Sequence, residues 1–488
     1  MGIIRKQSIH NSIGLYIGVF IGAVNTILIY PFVFESNPEY WGLLQLLVSY
    51  SIVISSFSHL GSPYILIRYF PKFKNKDDLI TFLFVLCLFG FILFSSSFFL
   101  FKDYLLSIFD FSPLFSEYFY LIVGFVFSLM FFDLFNSVSR SYLDSTTPIF
   151  LNEVYLRLAT LLILVAYHFS LINFSNFLWL YLIAFASKLV FLFIIQLYRK
   201  QISFSFKWSG VYLKQIRYGL YVILGNGAAI LVSRIDMIMI EYFLDLKYVA
   251  YYGLAFFIGS VIKVPGRSLS SISTPLISKA FKDNNINEIV QIYKKTAINL
   301  LVISSLMFLI IWLNIDEILS ILPEKFQQGK YVVLYIGLSQ LIILSSGLNG
   351  LIIINSKFFR KDILFNFILL AFIVLTNILF IPIYGIEGAA LASLISILLH
   401  NVIKIVFLYS KMKIQPFSTQ TIKVLFLSIG IYLLFQWIPT FDIIILSILF
   451  KSVLILLIFV PLLIFMNISS DINDIYNILK RRLYELLR

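Results

Sequence analysis

The sequence predicts an all-α integral membrane protein. Fourteen transmembrane helices form two pseudo-symmetric six-helix lobes, with two C-terminal helices after them. Three observations predict this. The 488 residues are 60% hydrophobic and 12% charged, with a mean hydropathy of +0.96, whereas a soluble chain carries about 25% charged residues. The apolar residues fall in fourteen stretches of the length that crosses a bilayer, about 20 residues each. The loops between them alternate between basic and poor in basic residues.

In order, the first stretch, 8–34, follows Arg5 and Lys6. It is too long for a signal peptide and lacks a small-x-small cleavage site, so an uncleaved first helix is expected. It ends at the acidic turn Glu35–Glu39, and the second, 42–68, runs into Arg68, Lys72, Lys74 and Lys76. The third, 79–101, ends at Lys102 and Asp103, and the fourth, 114–139, at Arg140. The fifth and sixth, 148–168 and 175–198, lead to Arg199, Lys200, Lys207, Lys214 and Arg217. The seventh, 216–240, ends at Glu241 and Asp245 beside Lys247; the eighth, 248–273, precedes Lys279, Lys282, Lys294 and Lys295. The ninth, 291–313, ends at Asp316 and Glu317, with Glu324, Lys325 and Lys330 before the tenth, 331–355. Lys357, Arg360 and Lys361 follow, then the eleventh and twelfth, 362–383 and 386–410, and Lys411 and Lys413. The thirteenth and fourteenth are 420–440 and 442–466. The even-numbered loops hold most of the positive charge, so the positive-inside rule makes them, and both termini, cytoplasmic. In the tail, 471–488, Ile472, Ile475, Ile478, Leu479, Leu483 and Leu486 oppose Lys480, Arg481 and Arg482. That pattern suits an interfacial amphipathic helix.

This placement of charge excludes a nucleic-acid reading of the net +13, which instead meets anionic lipid headgroups. The single cysteine, Cys87, allows no internal disulfide or cysteine metal cluster, and four scattered histidines argue against zinc. Three short matches recur in order across an offset of six spans. They are Gly14-Leu15-Tyr16 with Gly219-Leu220-Tyr221, Tyr40-Trp41-Gly42-Leu43 with Tyr251-Tyr252-Gly253-Leu254, and Pro71–Asn75 with Ser278–Lys282. Six is even, so the halves face the same way, as in a parallel repeat. The expected organisation is an N-lobe (1–200), a C-lobe (201–415), two extra helices (416–468) and a cytoplasmic tail (469–488).

The stretch from Ser233-Arg234-Ile235-Asp236 through Val249–Ala255 to Pro275 resembles the polysaccharide-exporter branch of the multidrug/oligosaccharidyl-lipid/polysaccharide flippases. The turns Glu35–Gly42 and Gly385–Ala392 resemble the family's first outer turn and its turn between helices eleven and twelve. The resemblance covers nearly the whole chain in topology. It implies two six-helix lobes around a central cavity, alternating access, and flipping of an undecaprenyl-pyrophosphate-linked oligosaccharide. The lipid II flippase carries an Arg-Asp pair in its first span; the matching Gly22-Ala23-Val24-Asn25 carries no charge, which argues against lipid II as substrate.

Ionisable groups near the bilayer centre cost about 2.5–3.5 kcal/mol each on insertion scales, so each needs a reason. Lys263 and Arg267, at i and i+4 on the eighth span, share a face with Gly259, Ser260, Ser270 and Ser271, and Pro265 between them should bend the helix. With Arg234, too deep to snorkel, they are expected to be cavity cations that bind the substrate. The alternative for the first two is snorkelling to the cytoplasmic headgroups. Arg234 and Asp236, about 200° apart around a helix, cannot pair with each other; Asp236 is expected to pair with a Lys or Arg on a neighbouring helix. Asp133, Glu153, Arg157 and Lys188 could pair within the first lobe, or one acid could couple transport to Na⁺ or H⁺. His400 and Lys404 could line the second lobe, and Lys451 is expected to snorkel or to meet a lipid phosphate.

No P-loop, HExxH or nucleophile motif is present, so no enzyme and no cofactor are expected. The leading reading is a flippase of the bacterial cytoplasmic membrane serving surface polysaccharide biosynthesis, such as O-antigen. It would act as a monomer, with lipid-linked oligosaccharide and membrane lipids as partners, and with a polysaccharide polymerase and chain-length regulator as further candidates. The alternatives are a cation-coupled multidrug exporter, a lipid II flippase and a membrane-embedded polymerase. The deep charges are mostly basic, which disfavours export of cationic drugs.

Overall fold

The computed structural model describes residues 2–108, 111–205, 212–438 and 441–486. Of the residues singled out above, Lys207 and the side chains of Arg5, Lys6, Arg267, Ser271, Ile475, Leu479, Arg482, Leu483 and Leu486 lie outside the described residues. The described chain is helical, with no strand. Eleven helices are long and apolar enough to cross a membrane, or up to twelve if the pair Glu324–Ser345 and Asn349–Asn355, bent by 47°, is one span. This is a multi-pass membrane protein.

The difference from fourteen apolar stretches arises at two further places. Thr419–Phe435 is shorter than the rest. Phe359–Met412 runs as 54 helical residues with non-helical geometry at Gly385 (φ 59°, ψ −137°). A straight helix of that length would measure about 80 Å, against a hydrocarbon core of about 30 Å. The chain instead doubles back: a Cβ on Gly388 would lie 2.1 Å from the carbonyl oxygen of Phe380. The hydroxyls of Thr376 and Ser396, one on each half, are 3.1 Å apart.

By its packing the chain divides into two compact units, Met1–Gly253 and Leu254–Arg488. The repeat boundary near 200 and this packing boundary are different properties: the seventh span belongs by sequence to the second repeat and packs within the first unit. The contact that holds it there is backbone on backbone. The second span breaks after Pro38–Ser58, where His59 Nδ1 accepts a hydrogen bond from the Gly61 N–H at 3.1 Å, and restarts as Ser62–Tyr69 with Pro63 in its first turn. Gly61 has φ +78°, and a Cβ there would fall 2.5 Å from Gly219 Cα. Glycine is required twice over, by conformation and by proximity. The core beneath is a cluster that includes Ile65, Leu83, Cys87, Phe131, Leu134 and Leu192.

The first span carries a second small face. A Cβ on Gly14, Gly18 or Gly22 would meet Ile149, Glu153 or Arg157 respectively, so glycines spaced by four lie against residues spaced by four on the fifth span. Such spacing lets helix backbones approach closely. Both partners contain a widened π-helical turn, Val24–Ile29 and Phe150–Tyr155.

In the second unit, the Ile286–Trp312, Thr419–Phe435 and Ile444–Phe465 helices share a core of Leu301, Leu309, Val424, Ile431, Ile455 and Phe459. The tail helix Ser470–Leu486 is anchored at its start, where Asp471 accepts from Lys295 at 2.6 Å and from Asn299 at 2.7 Å. Burial alone would raise the Asp471 carboxyl, but these two donors and the Lys295 charge hold it below its ordinary value.

Candidate functional site

The first unit holds a connected chain of polar side chains inside the span layer. Arg157 donates to the Gly18 carbonyl of the first span in a close contact and bonds Glu153, one turn back, at 2.7 Å. Asn25 reaches across from the first span to the Arg157 carbonyl at 2.9 Å. Asn152 donates to Glu153 at 3.2 Å and accepts from Lys188 Nζ at 2.8 Å. The Lys188 ammonium, fully buried, stands over the rings of Phe132 (4.5 Å) and Phe185 (4.7 Å) and feels the charges of both Asp133 and Glu153. Two acids and two bases thus balance. A buried ion bears a heavy desolvation penalty when isolated; the Glu153–Arg157 pair and Lys188, bonded to Asn152, have the partners that let them reside in the interior. The two π-helical turns supply Asn25 and Asn152, a common use of such turns at functional sites.

Asp133 differs from its neighbours. Its side chain is exposed midway along the helix Leu121–Ser141. Tyr64 of the second span and Lys188 are within electrostatic reach of it.

Arg234 sits where the seventh span breaks. Leu213–Val232 ends, and Arg234 takes the N-cap position of Ile235–Phe243. Its guanidinium is within electrostatic reach of Tyr181. Its Nε is buried and has no hydrogen-bond partner among the described residues. Asp236 is buried and accepts from the Tyr252 hydroxyl at 2.7 Å.

Lys263 ends a 3₁₀ turn, Val261–Lys263, and takes the N-cap position of Val264–Lys282. The helix changes to this tighter turn just before Pro265, where a bend was expected, and the Lys263 side chain is exposed. Arg267 lies one turn further along the same helix. The breaks in the second span, at His59–Gly61, and in the eighth, at Val261–Lys263, fall about one repeat offset apart.

Lys404 bonds Asp362 at 2.9 Å, with both side chains buried, and Asn349 donates to the neighbouring Asn401 at 3.1 Å. His400 is one turn from Lys404, with Nε2 buried and unpartnered among the described residues. Lys451 pairs with Glu317 in a close contact, both largely buried, where snorkelling or a lipid phosphate was expected. Sequence reading missed Asn152, Tyr64, Tyr181, Asp362 and Glu317. Among the described residues no group of three or more His, Cys, Asp or Glu is placed to hold a metal ion.

Comparison with known proteins gives the class of fold. Residues 222–386 match the MatE family model. No curated protein sequence matches the chain. Among solved structures, lipid II flippase MurJ in an inward closed conformation is similar, with a TM-score of 0.71 at 13% identity over 95% of this chain and 99% of that one. An inward-facing multidrug resistance MATE family transporter of the MOP superfamily gives 0.64 at 13% identity over 81% and 94%. A point mutant of the Vibrio cholerae MATE transporter VcmN gives 0.54 at 15% over 83% and 96%. The chain has the fold of these transporters and flippases, as its residues resembled.

Proposed function

We propose that the chain is a flippase that moves an undecaprenyl-pyrophosphate-linked oligosaccharide from the cytoplasmic to the outer leaflet of the bacterial cytoplasmic membrane by alternating access, for surface polysaccharide biosynthesis. One observation carries the reading. Each unit has a cation at the N-cap of a helix that restarts after a break, Arg234 before Ile235–Phe243 and Lys263 before Val264–Lys282. The positive end of the helix dipole and the side-chain charge act together there, an arrangement suited to a phosphate. Cations in these places replace the water and counterions that a pyrophosphate sheds on leaving the aqueous phase.

A groove of about 520 Å³ in the second unit accommodates the other end of such a substrate. It runs between the ninth, tenth and thirteenth spans, with Phe308, Trp312, Leu338, Leu425, Ile429 and Tyr432 on its walls. Its lining is almost wholly apolar, suited to an isoprenoid tail, and it uses one of the helices outside the repeat.

Lipid II is the second reading, favoured by Arg157. The first span has no charge of its own at Gly22–Asn25, but a Cβ on Gly22 would fall 2.2 Å from Arg157 Nη1. The fifth span thus supplies a guanidinium at the place where the sequence lacked one. Depletion of the protein separates the two readings: the flippase reading expects one lipid-linked saccharide to accumulate in the cytoplasmic leaflet, and its glycan identifies the substrate. No accumulated species on depletion would refute the proposal. The orientation has its own check. With Cys87 replaced by alanine, an impermeant thiol reagent on intact cells should label Asn37→Cys and spare Lys74→Cys. The reverse labelling would overturn the topology.

A further inference from the structure

Basic side chains in this protein are held in two ways. Arg157, Arg199, Lys295, Lys404 and Lys451 each pair with a carboxylate. A cluster at the end of the second span is held by aromatic rings instead. The Arg68 guanidinium stands 4.1 Å from the centre of the Tyr218 ring on the seventh span and 5.9 Å from that of Tyr69. The Lys72 ammonium is 5.8 Å from the same Tyr69 ring, and the two rings meet edge to face at 5.8 Å. Lys214 lies one turn before Tyr218 on the same helix face. Arg68, Lys72 and Lys214 are exposed, and none pairs with an acid among the described residues. Asp77 and Asp78 open the next helix, Lys76–Ile108, without an ion pair to any of the three.

A carboxylate and a ring fix a cation with different consequences. The carboxylate cancels the charge and takes up N–H donors. The ring attracts the cation through its quadrupole, so the charge stands and the donors stay free. Three such cations around one pair of rings make a surface for an anion, and a guanidinium fork matches phosphate oxygens. The close approach of Gly61 to Gly219 sets the place, because Tyr218 precedes Gly219 and Arg68 follows Gly61 on the restarted helix Ser62–Tyr69. From Tyr218 to Arg234 is about 24 Å along the seventh span. Phosphate here has two sources, the pyrophosphate of the carrier and the headgroup of an acidic phospholipid. The pyrophosphate brings more charge and more oxygens to three cations than a single phosphodiester does.

Resting on the flippase reading above, we propose that Arg68, Lys72 and Lys214, mounted around Tyr69 and Tyr218, are a loading station that takes the pyrophosphate of the lipid-linked saccharide at the cytoplasmic end of the seventh span, before it reaches Arg234. The exposed station sets how much substrate is needed. The buried cation at the helix break sets how fast it crosses.

The test uses the full-length protein in phosphatidylcholine vesicles, with the lipid-linked saccharide that accumulates in cells depleted of the protein as substrate. Arg68→Gln should raise the substrate level for half-maximal flipping by about tenfold, the lower end for a charged hydrogen bond, and leave the maximal rate unchanged. Tyr218→Leu, which removes the ring and no charge, should raise it several-fold, whereas Tyr218→Phe should not. Arg199→Gln is the control, because that guanidinium is already paired with Asp144; it should change neither quantity. Undecaprenyl pyrophosphate should compete strongly and phosphatidylglycerol weakly. Equal competition by the two overturns the station and makes the cluster a contact for phospholipid headgroups. An unchanged half-maximal level in Arg68→Gln overturns the station and spares the flippase reading, whereas wild-type vesicles that flip no such saccharide overturn both.

Discussion

Arg234→Gln and Lys263→Gln should each slow flipping by a factor of about 30 or more with little change in the amount of inserted protein. Taking away one partner of a buried, charge-assisted contact typically costs about 2–5 kcal/mol, and each 1.4 kcal/mol is about tenfold. Arg234 is the more sensitive position. Its Nε is buried without a partner among the described residues, so a bound phosphate would satisfy a group that is otherwise unsatisfied. Arg234→Lys should keep part of the rate, because it restores charge without the two-pronged donor geometry. The readout is accumulation of lipid-linked saccharide in the cytoplasmic leaflet, normalised to protein in the membrane. Wild-type flipping by both glutamine variants would remove the main support for an anionic headgroup at these helix starts.

Lys188→Ala should act on the fold. The substitution removes a positive charge within electrostatic reach of Asp133 and Glu153, takes away the buried donor to Asn152, and empties the space against Phe132 and Phe185. Losing a buried hydrogen bond to a charged group costs about 1.5–3 kcal/mol and the cavity left behind adds to it, a large part of the stability of many domains. Most of the protein should therefore be lost from the monodisperse peak in detergent size-exclusion chromatography. Adding Asp133→Asn should recover part of it by removing one uncompensated charge. A Lys188→Ala protein that accumulates normally and yet transports nothing would place Lys188 in the transport machinery.

The class of fold was legible because a bilayer imposes simple rules on sequence: long apolar stretches and alternating loop charge. The charge partners were less legible. Glu153 and Arg157 lie one helical turn apart, a spacing that sequence alone can pair. Lys451 and Glu317 lie 134 residues apart, and no local rule joins them, so the lysine looked like a group reaching for headgroups. Lys404 and Asp362 are joined only because the chain doubles back at Gly385. That reversal also hides a span boundary inside one helix. The glycines at 14, 18 and 22 did carry a signal, a period of four along one helix face, and it marks where Arg157 lies. The helix breaks at Arg234 and Lys263 had a weaker one. Pro265 pointed to the second, and nothing local pointed to the first.

The helix Leu246–Ser260 gives way directly to the 3₁₀ turn Val261–Lys263, and the helix Val264–Lys282 starts again behind it. A 3₁₀ turn has poorer hydrogen-bond geometry than the α-helix on either side, so bending of this backbone would concentrate there. The residue proposed to grip the phosphate therefore sits at the softest point of its own helix. Ligand load and mechanical strain would then meet within a single turn of backbone.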